Sequence, residues 1–122
     1  MSWPLAELVS WCVALPPAQR QVLGVMAFHA NHDGSCCYPS WDTLQDRTGL
    51  SRSTVYRAVK DLKAQCYIEE TDRGPMEPVE YTILVDKILD GLHPQTPRKV
   101  NAARIRLNAR WLSRRDPYGF HN

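Results

Sequence analysis

The sequence predicts a mainly α-helical domain carrying a small β-ribbon, followed by a basic C-terminal helix. Three observations predict this. Ser40 and Ser51, both good helix N-caps, each precede an amphipathic stretch, and Gly49 stands between the two stretches. Two short runs of β character then flank the Gly/Pro-rich segment Thr71-Asp-Arg-Gly-Pro-Met-Glu-Pro78. Charge is unevenly divided: residues 1–97 hold eight Lys/Arg against twelve Asp/Glu, a net of −4, whereas residues 98–122 hold seven against one, a net of +6.

A chain of 122 residues suffices for one compact domain with little left for a second. At 43% hydrophobic and 23% charged, its composition is that of a globular protein and not a disordered one. No apolar run reaches bilayer-crossing length, and the opening MSWPLAELVSW lacks a basic n-region. No membrane partner is therefore expected, and the expected location is the cytoplasm. Cys12, Cys36, Cys37 and Cys66 are irregularly spaced, which suits a reducing compartment better than a disulfide framework.

Leu5, Leu8, Val9 and Cys12 recur at helical spacing and predict a first helix over 4–15. Pro16 and Pro17 break it, and Pro17 suits the first position of a helix running to Ala30, with Val22, Val25, Met26 and His29 along one stripe. Asn31 to Gly34 reads as a turn and Ser35 to Tyr38 as a short extended piece. Ser40 caps a helix from Trp41 to Thr48 that Gly49 ends, and Ser51 caps the next helix, to Gln65. A turn of three residues, Gly49-Leu50-Ser51, thus joins the pair. A strand is expected over Tyr67 to Glu70, and a second where Val79, Tyr81 and Ile83 alternate with Glu80 and Thr82. A short helix follows from Val85 to Leu92. The expected organisation is one domain over 1–92 with its core in 17–84, a linker at 93–97, and a basic helix and tail over 98–122.

A helix, a short turn and a second helix can place that second helix in the major groove if one of its faces is free. With Val55 as reference and about 100° per residue, Val55, Ala58, Val59 and Leu62 form one buried stripe. Ser53, Tyr56, Arg57 and Lys60 fall opposite, and Arg52 and Thr54 flank the stripe near the helix start. Hydroxyls, an aromatic ring and long cations are the groups that read base edges and grip phosphates. Four of the eight cations in residues 1–97 (Arg52, Arg57, Lys60 and Lys63) lie on this one helix.

The run PSWDTLQDRTGLSRSTVYRAVKDLKAQCYIEE, Pro39 to Glu70, resembles the winged helix-turn-helix domains of bacterial and phage transcriptional regulators and phage replication proteins. The likeness covers about residues 17 to 84 and is most specific from Gly49 to Val59. It implies double-stranded DNA binding through the second helix and through the loop between the strands, where Arg73 is the only cation. Two positions depart from the pattern. Gln45 replaces a small Ala, which implies a looser or rotated helix contact. Cys66 replaces the Gly expected before the strand, where a positive φ is often needed.

The candidate DNA-contacting set is Ser40 and Trp41, then Ser51, Arg52, Ser53, Thr54, Tyr56, Arg57, Lys60 and Lys63, with Arg73 in the wing. Trp41 is equally readable as a core residue. In the tail, Lys99, Arg106, Arg110 and Arg114 share one side of a helix, beside Val100, Ala103, Leu107 and Trp111. That helix can meet phosphates, pair with a dimer mate or protein partner, or lie on the acidic body. His29, His32, Cys36 and Cys37 match no usual zinc spacing, so no metal or other cofactor is expected. No nucleotide loop or triad ordering marks an enzyme. The function expected is a transcriptional regulator, a repressor acting as a homodimer. A replication initiator on origin repeats and a winged-helix interaction module for protein or RNA are its rivals.

Overall fold

The computed structural model describes residues 3–31, 34, 35, 37, 39–71, 74, 75 and 79–97. Helices α1 (Trp3–Ser10), α2 (Pro17–His29), α3 (Trp41–Thr48) and α4 (Arg52–Ala64) precede strands β1 (Ile68–Thr71) and β2 (Glu80–Ile83) and helix α5 (Val85–Asp90). The fold is mainly α with a two-stranded antiparallel ribbon, as the sequence predicts. No helix among the described residues is long and apolar enough to cross a membrane.

One core joins all the elements. Leu5, Leu8 and Val9 of α1, Val22, Leu23, Met26 and Ala27 of α2, and Leu44 of α3 are buried with the α4 stripe Val55, Ala58, Val59 and Leu62. Ile68, Tyr81 and Ile83 of the ribbon and Val85 and Ile88 of α5 complete it. All four α4 residues were legible as its inner face from their spacing.

Helix α1 is shorter than the 4–15 expected. After Ser10 the amides of Trp11 and Cys12 bond three residues back, to Leu8 O and Val9 O, both at 3.0 Å. The chain then leaves the helix, and Cys12 forms a backbone bridge with Leu92, flanked by Ala14 N to Gly91 O at 3.3 Å and His93 N to Trp11 O at 2.9 Å. The same bridge accounts for α5 ending at Asp90 and not at Leu92. Pro16 also disfavours helical geometry at the residue before it.

Strand β2 lies at the centre of the ribbon. Glu70 faces Tyr81 from β1, and Cys37 pairs with Tyr81 from the other side, with N···O distances of 3.1 and 2.8 Å. Cys37, within the expected extended piece, thus docks on the ribbon. Ile83 N bonds Gly34 O at 2.8 Å, and Gly34 has φ 89° with the Ile83 carbonyl where a Cβ would stand, so both backbone and space demand glycine there.

The end of α4 accounts for the departure at Cys66. Cys66 N bonds Lys63 O at 3.1 Å and Tyr67 N bonds Leu62 O at 2.9 Å, the paired bonds of a Schellman cap. Such a cap needs a left-handed residue, and Cys66 supplies it with φ 63°, the one non-glycine positive φ among the described residues. The boundary is therefore where a glycine would set it, and the cysteine bears the strain. Cys66→Gly should raise the unfolding free energy by about 1 kcal/mol, and Cys66→Ala should not. Chemical denaturation of both variants under reducing conditions checks this.

Candidate nucleic-acid interface

In the turn between α3 and α4 the amides of Gly49 and Leu50 both have partners. Gly49, at φ 72°, bonds its N–H to Gln45 O at 2.9 Å, closing α3 with a left-handed cap. Leu50 N donates to the Thr48 hydroxyl at 3.2 Å, and that buried hydroxyl itself donates to Leu44 O at 2.6 Å. Ser51 Oγ accepts from Thr54 N at 3.3 Å and starts α4. From α2, Gln21 Nε2 donates to Thr48 O at 3.0 Å, tying the turn to the rest of the domain. Gln45, where a small residue was expected, is half-buried, and Leu44 and Thr48 are the buried side chains of α3.

With its inner stripe buried, α4 presents the opposite side to solvent. Arg52, Ser53, Tyr56, Arg57 and Lys60 line one shallow depression there, and among the described residues no carboxylate lines it. Asp61, the only acid in α4, is turned to α2, where it accepts from Gln19 Nε2 at 3.3 Å. Tyr56 is 55% exposed, with the Lys60 ammonium and the Trp41 ring centroid each 5.9 Å from its ring centroid. An exposed tyrosine in contact with an indole and a cation is a pre-oriented aromatic surface.

The remaining candidates are distributed around this centre. Ser40 is exposed and caps α3, its Oγ accepting from Thr43 N at 3.0 Å. Trp41 is both core and surface: half-buried against the hydrophobic cluster, it also reaches Tyr56. Thr54 is half-buried, its hydroxyl 2.8 Å from Ser51 Oγ. Lys63 stands apart from the depression, paired with Glu70 of β1 at 3.0 Å. Arg73, Lys99, Arg106, Arg110, Trp111 and Arg114 lie outside the described residues.

Of the residues considered for zinc, Cys37 is buried and its thiol donates to Met26 O at 3.2 Å. Burial pushes that thiol up to about 12, so it stays protonated and is poorly suited to bind a metal. His32 and Cys36 lie outside the described residues. The sequence reading missed the Trp41–Tyr56 pairing and the diversion of Asp61 and Lys63. Each joins residues of different elements, and helical periodicity carries no signal for that.

Residues 14–68 match the family model of a helix-turn-helix domain. Over that stretch the chain is similar to a helix-turn-helix domain. The match spans α2, α3 and α4 and ends where β1 begins, and the ribbon that follows gives the domain the layout of a winged helix. No curated protein and no solved structure matches the chain. A helix-turn-helix domain is a module for binding double-stranded DNA.

The two serines at the start of α4 separate capping from surface chemistry. Ser51→Ala should lower the unfolding free energy by about 1 kcal/mol, and Ser53→Ala should change it by less than about 0.5 kcal/mol. Thermal or denaturant unfolding of the two variants measures the difference.

Proposed function

We propose that the protein binds a specific site on duplex DNA, with α4 in the major groove, and regulates transcription as a homodimeric repressor in the cytoplasm of a bacterium or on a phage or mobile element. The observation that carries this reading is the depression on α4, which no carboxylate of the described residues lines. It gathers Arg52, Arg57 and Lys60 with Ser53 and Tyr56 on the side of the helix that the core leaves open. Arginine makes the most common specific contact in a major groove, bidentate to guanine, and Arg57 is the residue assigned to it. Arg52, Lys60 and the hydroxyls of Ser51, Ser53 and Thr54 fit phosphate or base-edge contacts near the helix start. Ser40 and Trp41 would meet the backbone where α3 crosses it. Lys63, engaged with Glu70, is available to phosphate only after giving up that exposed ion pair, which is worth little.

Arg73, in the wing, is assigned to the minor groove or the backbone. Lys99, Arg106, Arg110 and Arg114 are assigned to phosphates, and Trp111 to packing against the dimer mate. The charge division supports this, since the body is net negative and its tail net positive. A palindromic selected site supports the dimeric repressor, whereas direct repeats support a replication initiator.

Arg57→Ala should weaken specific binding by about 1–3 kcal/mol and relax selectivity at one base position. Selection from a random duplex pool, followed by titration, reads both, and an equal loss on all sequences assigns Arg57 to phosphate instead. A chain ending at Pro97 should bind more weakly and with a flatter dependence of log affinity on log salt. Unchanged affinity, unchanged slope and an unchanged mass by light scattering would remove the tail from both roles.

A further inference from the structure

A second concave surface lies away from α4. It runs between α1 and α2 and reaches the last turn of α3, and no α4 residue lines it. Its volume is about 480 Å³, within the range of sites that take small organic molecules. Ala6, Gly24, Val25 and Phe28 make its walls largely apolar, and Arg20 and Arg47 supply two cations. No carboxylate lines it, and neither arginine forms an ion pair among the described residues. The Arg47 guanidinium lies 4.9 Å from the Phe28 ring centroid, which places a charge against the aromatic wall.

These features call for an occupant of one kind. A bare anion would satisfy the arginines and leave the apolar walls wet. A neutral apolar molecule would cover the walls and leave two cations with no counter-charge. Gly24 keeps the floor open, since nothing closer than Val9 at 3.9 Å meets the position of its missing Cβ. The groove also reaches the helix pair directly. Arg47 belongs to α3, and Gln21, another lining residue, holds the Thr48 carbonyl at the end of α3 at 3.0 Å.

We propose that this groove binds a small carboxylate with an apolar body, which Arg20 and Arg47 recognise, and that the bound molecule changes DNA affinity through α3. The regulatory half rests on the DNA-binding reading above, and the binding half does not. A ligand that contacts Arg47 and Gln21 touches the element that leads into the turn and α4. It can favour one setting of α3 against α4 by as much as its affinity differs between the two.

The test uses the full chain with octanoate as probe, octanamide as its neutral counterpart and inorganic phosphate as the anion without a body. Calorimetric titration should show saturable octanoate binding, at least about tenfold weaker octanamide binding and no phosphate binding. The Arg20→Gln/Arg47→Gln double variant should lose roughly tenfold or more in octanoate affinity while keeping its melting midpoint. Gly24→Leu, which fills the groove, should lose binding with both arginines in place. Absence of saturation, equal binding of octanamide, or full affinity in the double variant would overturn the site.

In parallel, saturating octanoate should change the affinity for a selected duplex by about fivefold or more, and not in the double variant. A filled groove with unchanged DNA affinity would overturn the coupling. Octanoate binding in a protein that binds no duplex at all would refute the DNA reading and leave the site standing.

Discussion

Burial of Val55, Ala58, Val59 and Leu62 fixes the rotation of α4 about its own axis, and the rest of the molecule depends on that rotation. A turn of helix in either direction would expose a valine and bury an arginine without a partner, at a cost of several kcal/mol. The fixed rotation leaves Arg52, Ser53, Tyr56, Arg57 and Lys60 with solvent on their side and collects them around one depression. The turn before α4 sets where the helix begins, and the Schellman cap after it sets where the chain departs toward the ribbon. Both ends use a left-handed residue, a glycine at one and a cysteine at the other.

The electrostatics follow from the same packing. Residues 1–97 carry more acid than base, so a favourable surface for a polyanion must be made locally. Inside α4 this is done by drawing Asp61 toward Gln19 on α2 and leaving the cations on the far side. Lys63 lies on the boundary between the two faces and is drawn to Glu70 across the short distance to β1. The exposed surface therefore keeps three of the four cations of the helix and leaves its one acid on another side. Trp41 and Tyr56 add a pair of tilted aromatic rings where α3 meets α4.

The helix pair was legible because its signals are local. Ser40, Gly49 and Ser51 act on backbone groups within four residues of themselves, and the α4 stripe repeats with the period of the helix. Sequence also marked Cys66 as a position that needs a positive φ, and the cap shows why no shift of the boundary relieved it. The end of α1 was not legible. Cys12 continues the apolar spacing of Leu5, Leu8 and Val9, but its backbone is committed to Leu92, which lies far along the chain. Cys37 likewise read as part of a short extended piece, with nothing to show that Tyr81 would be its partner. The Arg47–Phe28 stack and the groove beside it belong to the same class, since residues from three helices make them.

The central claim is that duplex DNA meets the open face of α4. Chemical-shift mapping of the backbone amides, during titration of the full chain with its selected duplex, tests it residue by residue. The largest changes should fall on Ser51 to Lys60, with smaller ones at the start of α3 and the smallest at Ala6 of α1 and Gly24 of α2. Changes centred on α1 and α2, with α4 unmoved at saturation, would contradict the account.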